Sequence, residues 1–327
     1  MDVANASLYD GASSLAEAAL MAHAVTGRDG IVLSRGVNPL HRQVVETYCE
    51  GPDLRLKSVP LADGVTDLDA LRKVVSGSTA AVVVQYPNFF GCLEEVRTAG
   101  EIAHAAGALL VVSADPVNLG LLAPPGALGA DIVVGEGQPL GVPLSFGGPY
   151  VGLFACRERF VRHMPGRIVG RTNDLDGRTG YVLTLQTREQ HIRRERATSN
   201  ICTSTQLIAL AFTIALCTLG KQGLRRMAEL CYHKAHYAAE QIARLPRYEL
   251  ALDGVPSAGS GRCFFQEFVA RCPIAPAEIN RRLLERGMIG GYDVSERIER
   301  GLLLCFSELH TREEIDALVE ALGAIGG

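Results

Sequence analysis

Residues 80–113 read AAVVVQYPNFFGCLEEVRTAGEIAHAAGALLVVS, with an apolar strand pattern at each end and a helical pattern between them. The predicted strands, Ala80–Tyr86 and Leu109–Ser113, are apolar almost throughout, and Glu95–Ala106 is the predicted helix. Near-continuous apolar strands joined by helices are typical of parallel sheets covered on both faces. The stretch therefore predicts one strand–helix–strand unit of an α/β domain.

The same alternation extends in both directions from this unit. Helix start and stop signals lie between the predicted strands: Asn38-Pro39 starts a helix that Gly51 ends, and Asp67 starts another. We predict a large α/β domain with a mostly parallel mixed sheet over residues 1–220. Its further strands are Ile31–Ser34, Leu54–Val59, Asp131–Val134 and Tyr150–Cys156.

The pattern changes towards the C-terminus. Residues 165–190 are rich in glycine and arginine and are predicted to be a functional connection without regular structure. Helices over 203–219 and 221–245 are separated by Gly220, and we interpret 221–246 as a bridging helix. Residues 247–327 are predicted to form a separate small α+β domain. Its elements are the strands 248–252, 262–270 and 302–307, the helix 275–286, and a last helix that starts with a capping box at Thr311 and Glu314.

Composition narrows the class of protein. The 327 residues are 47% hydrophobic and 21% charged, and the net charge of −4 gives no basic surface for nucleic acid. The longest apolar run, Leu207–Leu219, is shorter than a membrane span, so we expect no membrane partner. The histidines show no metal-ligand spacing, so we expect no metal site. Nine cysteines without a C-x-x-C pair, and no signal peptide, lead us to expect a reducing cytoplasm.

An arginine-rich run lies at residues 188–203, which read REQHIRRERATSNICT. Arg193, Arg194 and Arg196 crowd against only two glutamates, and the run leads directly into an apolar helix. One interpretation is a solvated surface charge cluster, and the other is an interface or pocket. For the second interpretation the candidate residues are Arg188, His191, Arg193, Arg194, Asn200 and Thr203.

This run resembles the REQHIRREKATSNICT segment of the glycine cleavage P protein, specifically subunit 1 of the two-subunit glycine dehydrogenase (decarboxylating). The same family is resembled by residues 2–12 (DVANASLYDGA), 85–91 (QYPNFFG), 135–150 (GEGQPLGVPLSFGGPY), 287–292 (GMIGGY) and 305–311 (CFSELHT). The resemblance therefore runs essentially from end to end. It implies an aspartate-aminotransferase-like fold, which is fold type I of the pyridoxal-phosphate enzymes. Met1 coincides with an internal methionine of the family, so we expect its usual N-terminal segment to be missing.

A pyridoxal-phosphate site needs a phosphate cradle, an acid for the pyridine nitrogen, a ring over the cofactor and a Schiff-base lysine. Ordinary helix capping is the alternative for the cradle, and a turn aspartate before proline is the alternative for the acid, Asp115. Phe89 or Phe90 could supply the ring or belong to the core. The candidates for what would be a vestigial cradle are Ser7, Tyr9, Asp10, Gly11 and Ala12.

The lysine is absent from its expected loop. Gln138 or Pro139 stands at the position that the resemblance assigns to it, and neither can form an imine. The four lysines of the chain are Lys57, Lys73, Lys221 and Lys234. We therefore expect no catalytic residue and no covalently held cofactor on this chain, and pyridoxal phosphate on a partner subunit.

The resemblance implies a subunit of the decarboxylating glycine dehydrogenase. Its expected partners are glycine dehydrogenase subunit 2 and the lipoyl-bearing H protein, to which the complex passes an aminomethyl group from glycine. This chain alone is expected to be inactive. The alternative is a non-catalytic scaffold or regulatory module of the same fold. The positions of the lysines speak against a third interpretation, an independent pyridoxal-phosphate enzyme.

Overall fold

The protein is described from a computed structural model that covers residues 1–201, 203–252 and 264–326. Its contacts group the chain into two compact units. The first unit comprises residues 1–61, 66–86 and 95–220, and the second comprises 62–65, 87–94 and 221–327. The residues that were predicted as a bridging helix belong to the second unit.

The first unit is built on a seven-stranded sheet of order β1-β9-β8-β7-β6-β2-β3. Five neighbouring strands of this sheet are parallel to one another, namely β8, β7, β6, β2 and β3. The other two, β9 and β1, are antiparallel to their neighbours. The predicted mostly parallel mixed sheet is therefore confirmed. The strands are β1 Val3–Ala4, β2 Gly30–Ser34, β3 Arg55–Val59, β6 Thr79–Tyr86, β7 Leu109–Ala114, β8 Ile132–Glu136 and β9 Gly152–Cys156, and β4 Leu61–Ala62 and β5 Val65–Thr66 form a separate short pair.

The sheet is covered on both faces, as its apolar strands require. Every residue of β2 and β7 is buried, so side chains that point to either face are shielded from water. Leu15 and Met21 on a helix and Ile31 and Ile132 on the sheet belong to one apolar cluster. The helices of this unit are α1 Gly11–Thr26, α2 Pro39–Glu50, α3 Leu68–Val74, α4 Val96–Ala105, the short α5 Gln190–Arg193 and the first part of α6 Gln206–Ala243.

The ends of these helices follow local capping chemistry. Asn38 caps α2 by accepting from the Leu40 N–H, and Pro39 occupies the first turn, where no intrahelical donor is lost. Asp67 caps α3 by accepting from two backbone N–H groups. Both starts agree with the sequence prediction.

The predicted connection over 165–190 is wrong in one respect, because it contains a regular hairpin. Strands β10 Ile168–Asn173 and β11 Thr179–Thr184 pair in antiparallel register, and most of their residues are exposed. Asp174 organises the turn by accepting from the N–H groups of Asp176 and Arg178. Because neither face of the hairpin is buried, apolar and polar residues do not alternate along the two strands. That alternation is the sequence pattern from which a strand is predicted.

Helix α6 has a break at Gly220, as predicted, where φ is 60° and ψ is −177°. By length and composition, it is the one helix in the described part of the chain that could cross a membrane. The break leaves residues 206–219 as a separate helical segment of about 21 Å, shorter than the ~30 Å hydrocarbon core of a bilayer. All residues of this segment are described, and none is buried.

The second unit contains a four-stranded antiparallel sheet of order β12-β13-β15-β14. Ala239 on α6, Ile279 on α7, Leu302 on β15 and Leu322 on α8 share its apolar core. The capping box at Thr311 and Glu314 is present. The predicted strand over 262–270 begins at Glu267, and residues 253–263 lie outside the described part. The elements are β12 Glu249–Leu250, β13 Glu267–Arg271, β14 Tyr292–Asp293, β15 Gly301–Cys305, α7 Pro276–Leu284 and α8 Arg312–Gly326.

Candidate functional site

The candidate cradle lies at the N-terminus of helix α1, where it forms a capping box. The Asp10 carboxylate accepts from the Ser13 N–H at 2.7 Å, and the Ser13 hydroxyl accepts from the Asp10 N–H. The Ser14 hydroxyl donates to the Asp10 carbonyl at 2.7 Å. Ordinary capping, the alternative stated above, thus describes the roles of Asp10 and Ser13 in the structure.

Glu136, at the end of β8, also reaches this helix terminus. One oxygen of its carboxylate accepts from the Gly11 N–H at 2.9 Å. The other accepts from the N–H groups of Gln138 and Val151, both at 2.9 Å. Burial and the nearby Asp10 raise the pKa of Glu136, while the three N–H groups oppose that shift by stabilising its ionised form. Glu136 is not among the site residues that the sequence predicts.

The strand ends bring most of the predicted site together. Gly135 on β8 lies so close to β7 that an added Cβ would stand 2.3 Å from the Ala114 carbonyl oxygen, next to Asp115. At Gly11, an added Cβ would stand 3.1 Å from the Cβ of Glu136. We call residues 7–12 the SLYDGA segment and residues 137–151, between β8 and β9, the Gln138 loop. Both segments and the end of β7 therefore converge at the carboxyl end of the sheet, as α/β sheets generally arrange their sites.

Other predicted site residues have structural partners of their own. The Asp115 carboxylate accepts from the Val117 N–H at 2.8 Å, which is the turn arrangement stated as the alternative. Ser7 donates to the Ser204 hydroxyl at 2.8 Å, and Tyr9 is exposed. Ala12 lies in the first turn of α1. A cofactor role for these residues stays a prediction.

The arginine-rich run divides into a buried part and an exposed part. Arg188 is half-buried and donates to the carbonyls of Met164 and Gly166, and burial lowers its pKa. His191, Arg193, Arg194, Asn200 and Thr203 are exposed. Arg194 has φ 53°, an uncommon backbone region for a residue other than glycine. Arg188 thus has carbonyl partners within its own chain, and an interface or pocket role for the run stays a prediction.

A buried acid that the sequence did not reveal lies about two turns beyond the cap of α1. Glu17 on α1 is only 3% exposed, and burial raises its pKa to about 7, opposed by a side-chain hydrogen bond with Ser199. Its second oxygen has no hydrogen-bond partner in the described structure. The available signal was a single charged residue in the alanine-rich sequence of α1, where apolar residues surround it.

The QYPNFFG segment is organised by a buried amide. Asn88, in the second unit, is fully buried, and its side chain donates to the Gly64 carbonyl and to Glu94. The same side chain accepts from the N–H groups of Phe90 and Cys92. Phe90 is buried, which agrees with its interpretation as core.

In the described ranges no group of three or more acidic, histidine or cysteine side chains could hold a metal ion.

With this geometry in view, comparison with known proteins identifies the family. A family model described as the glycine cleavage system P-protein matches residues 1–322. The chain belongs to the glycine cleavage system P-protein family. A relative from Desulfitobacterium hafniense, named glycine dehydrogenase (decarboxylating) subunit 1, is 51% identical over 99% of this chain and 72% of its own length. A relative of the same name from Thermomicrobium roseum is 53% identical over 98% of this chain and 71% of its own.

Solved structures show the same relationship. The crystal structure of a glycine decarboxylase (P-protein) of the glycine cleavage system, in inhibitor-bound form, has a TM-score of 0.93 and 44% identity. It covers 99% of this chain and 72% of the solved chain. A sphingosine-1-phosphate lyase from Burkholderia pseudomallei, with a TM-score of 0.70 and 16% identity, shares the fold alone. The predicted fold type I architecture of pyridoxal-phosphate enzymes is thereby confirmed.

The loop that follows β8 in this P-protein chain holds no lysine, so a covalently held pyridoxal phosphate would find no imine-forming amine there. Gln138 is buried and its amide reaches the Pro143 carbonyl at 3.5 Å, while Pro139 is exposed, so neither offers an amine. Lys57 lies on β3, four strands from β8 and about 19 Å away at the usual strand spacing. Lys73 is on α3, and Lys221 and Lys234 belong to the second unit.

Proposed function

We propose that this chain is a subunit of the decarboxylating glycine dehydrogenase that holds no cofactor itself and acts only together with a partner subunit. Two observations support the proposal. The relatives that match over nearly the whole chain are named subunit 1 of this enzyme. The loop in which the resemblance places the cofactor lysine carries Gln138 and Pro139 instead.

In the proposed complex, subunit 2 holds pyridoxal phosphate, and the complex decarboxylates glycine and transfers the aminomethyl group to the lipoyl H protein. Pyridoxal phosphate, when bound there, supplies the electron sink for loss of CO₂. This chain contributes a docking surface and a wall that excludes water from the partner's pocket. We place the complex in the cytoplasm, because buried thiols such as Cys49 and Cys272 suit a reducing compartment.

The exposed apolar segment of α6 supports the part of the proposal that concerns a partner subunit. Leu207 is 76% exposed, Leu210 and Ile214 are also exposed, and Phe146 in the loop before β9 is 97% exposed. We call Leu207, Leu210 and Ile214 the α6 face. Apolar helix faces of this kind are normally covered by other protein surface, because each Å² of apolar area removed from water stabilises the contact by about 25 cal/mol.

The α6 face adjoins the predicted site. At Gly141, an added Cβ would stand 2.7 Å from the Ala211 carbonyl, and at Gly137 it would stand 3.1 Å from Phe212. Thr205 donates to the Leu8 carbonyl at 3.2 Å. A subunit that covers the α6 face would therefore lie next to the Gln138 loop and the SLYDGA segment. That position suits an obligate interface around a shared pocket.

The experiment is co-expression of this chain with a lysine-bearing subunit 2 of the same family, followed by size-exclusion chromatography and a glycine–CO₂ exchange assay. Co-elution with exchange activity is expected. Leu210→Glu buries a charge at the proposed interface and should abolish co-elution, because an unpaired charge in an apolar contact costs several kcal/mol. Leu284→Glu, which changes an exposed leucine on α7 of the second unit, is the matched control and should leave assembly intact.

The scaffold interpretation makes a different prediction for the same mixture. If subunit 2 elutes separately from this chain and catalyses exchange equally well without it, the subunit proposal is wrong. Co-elution without any gain in exchange activity would instead identify a non-catalytic scaffold.

A further inference from the structure

The N-terminus of helix α1 is the place where this fold could receive a phosphate group. The first N–H groups of a helix and its dipole attract anions, and this terminus lies at the carboxyl end of the sheet beside the expected lysine loop. In this chain, however, a carboxylate from the chain itself already lies there. We infer that the Glu136 carboxylate takes the position at this helix terminus that the phosphate of pyridoxal phosphate would need, so that the anion site of this chain is filled from within.

The donors support this inference. Glu136 receives the Gly11 N–H from the first turn of α1 and the Gln138 and Val151 N–H groups from the loop that follows β8. Two residues further along the turn, the N–H of Ser13 is bound to Asp10. Three backbone donors that converge from two segments on one carboxylate make an anion-binding arrangement that is already satisfied.

Space and charge exclude a second anion. The backbone of α1 and the side chain of Glu136 lie so close together that a Cβ added at Gly11 would stand 3.1 Å from the Glu136 Cβ. Asp10 lies near enough to oppose the ionisation of Glu136. A phosphate dianion would therefore meet two carboxylates at the N–H groups of Gly11 and Ser13, and like charges at such distances repel strongly.

The test measures binding of inorganic phosphate to the full chain by isothermal titration calorimetry. Glu136→Ala vacates the position and leaves the backbone donors free, so saturable 1:1 binding is expected, with a dissociation constant of roughly 1 mM. Phosphate should also raise the thermal unfolding temperature of this variant. The unmodified chain should show neither effect.

Two matched variants test whether phosphate is excluded because the position is filled or because the net charge of the helix terminus is negative. Asp10→Asn removes the same charge from the same helix terminus but retains a good N-cap and leaves Glu136 in place, so it should not bind phosphate. Glu136→Gln removes the charge but still fills the position, and it too should not bind.

Several outcomes would overturn the inference. Saturable 1:1 phosphate binding by the unmodified chain would show that the site is open. A folded Glu136→Ala variant that binds no phosphate would show that the donors are not available to an anion. If Glu136→Ala and the smaller change Glu136→Ser both fail to fold even in concentrated phosphate, the vacated position is not one that an anion can occupy. Because this chain alone is used, each of these failures leaves the proposed subunit role standing.

Discussion

At the scale of single residues, the burial of Glu17 with only part of its hydrogen bonds made determines how the stability of the chain depends on pH. Its carboxyl group lies on the buried face of α1, and one of its oxygens has no hydrogen-bond partner in the described structure. Burial therefore raises the free energy of the ionised form. The pKa of Glu17 is raised from 4.5 to about 7. A raised pKa in the folded state means that the contribution of this group to stability is fully present below pH 4.5 and is lost as the pH rises through 7.

Glu17→Gln should remove that pH dependence. A shift from 4.5 to about 7 corresponds to about 3 kcal/mol, so the variant should be more stable than the unmodified chain at pH 8 and about equal to it at about pH 4. Urea unfolding at both pH values measures the difference. Glu46→Gln, at an exposed position on α2, is the control and should leave the pH profile unchanged. Identical pH profiles for Glu17→Gln and the unmodified chain would contradict the prediction.

The sequence revealed some of the site residues and missed others for a physical reason. Asp10 and Gln138 could be singled out because capping chemistry and a missing amine are visible in the residue types themselves. Glu17 and Glu136 could not, because their roles depend on which segments the fold brings against them. Glu136 binds the N–H of Gly11, 125 positions away in the chain.

At the scale of elements, Gly220 divides α6. Its φ of 60° and ψ of −177° lie in a region that is essentially restricted to glycine. An added Cβ would meet no atom within 4 Å, so any cost of a side chain there comes from the backbone alone.

Gly220→Ala should destabilise the chain by about 1–3 kcal/mol. Gly51→Ala is the matched control, because Gly51 has φ −59° and ψ −51°, also with no atom within 4 Å of an added Cβ. That variant should be neutral or slightly stabilising, since alanine favours helical backbone. Guanidinium unfolding of both variants measures the contrast. Equal midpoints would show that residue 220 can adopt an ordinary helical conformation at no cost.

Elements with a buried face were predictable, and the hairpin β10–β11 was not. Strands such as β7 consist almost wholly of apolar residues because both faces are covered. The hairpin has no such pattern, and the signal that could have found it is the Asp176-Gly177 pair at its turn, where Gly177 has φ 80°. That signal is short and local, and no alternation of apolar residues accompanies it.

At the scale of the whole molecule, the chain exposes more apolar side chains than a self-sufficient monomer needs. The α6 face and Phe146 are exposed together with Tyr181 and Leu183 on the hairpin. Contiguous apolar surfaces in isolated proteins favour association. The chain without its partner should therefore self-associate.

A combined change of Leu207, Leu210 and Ile214 to glutamate should raise the fraction of monomer without lowering the thermal unfolding temperature, because these side chains contribute little to the core. Analytical ultracentrifugation and a thermal melt of the same samples measure both quantities. A marked fall in the unfolding temperature would show instead that the α6 face stabilises this chain directly.

Glu136 also bears on how such a chain could change over evolutionary time. A descendant that regained a lysine at position 138 alone would still present a filled anion site, so the new amine would have no cofactor to capture. One that lost Glu136 alone would expose a row of unpaired N–H groups and gain nothing for catalysis. Each step towards an independent enzyme is unrewarded without the other, which would make the proposed division of labour between two subunits hard to reverse.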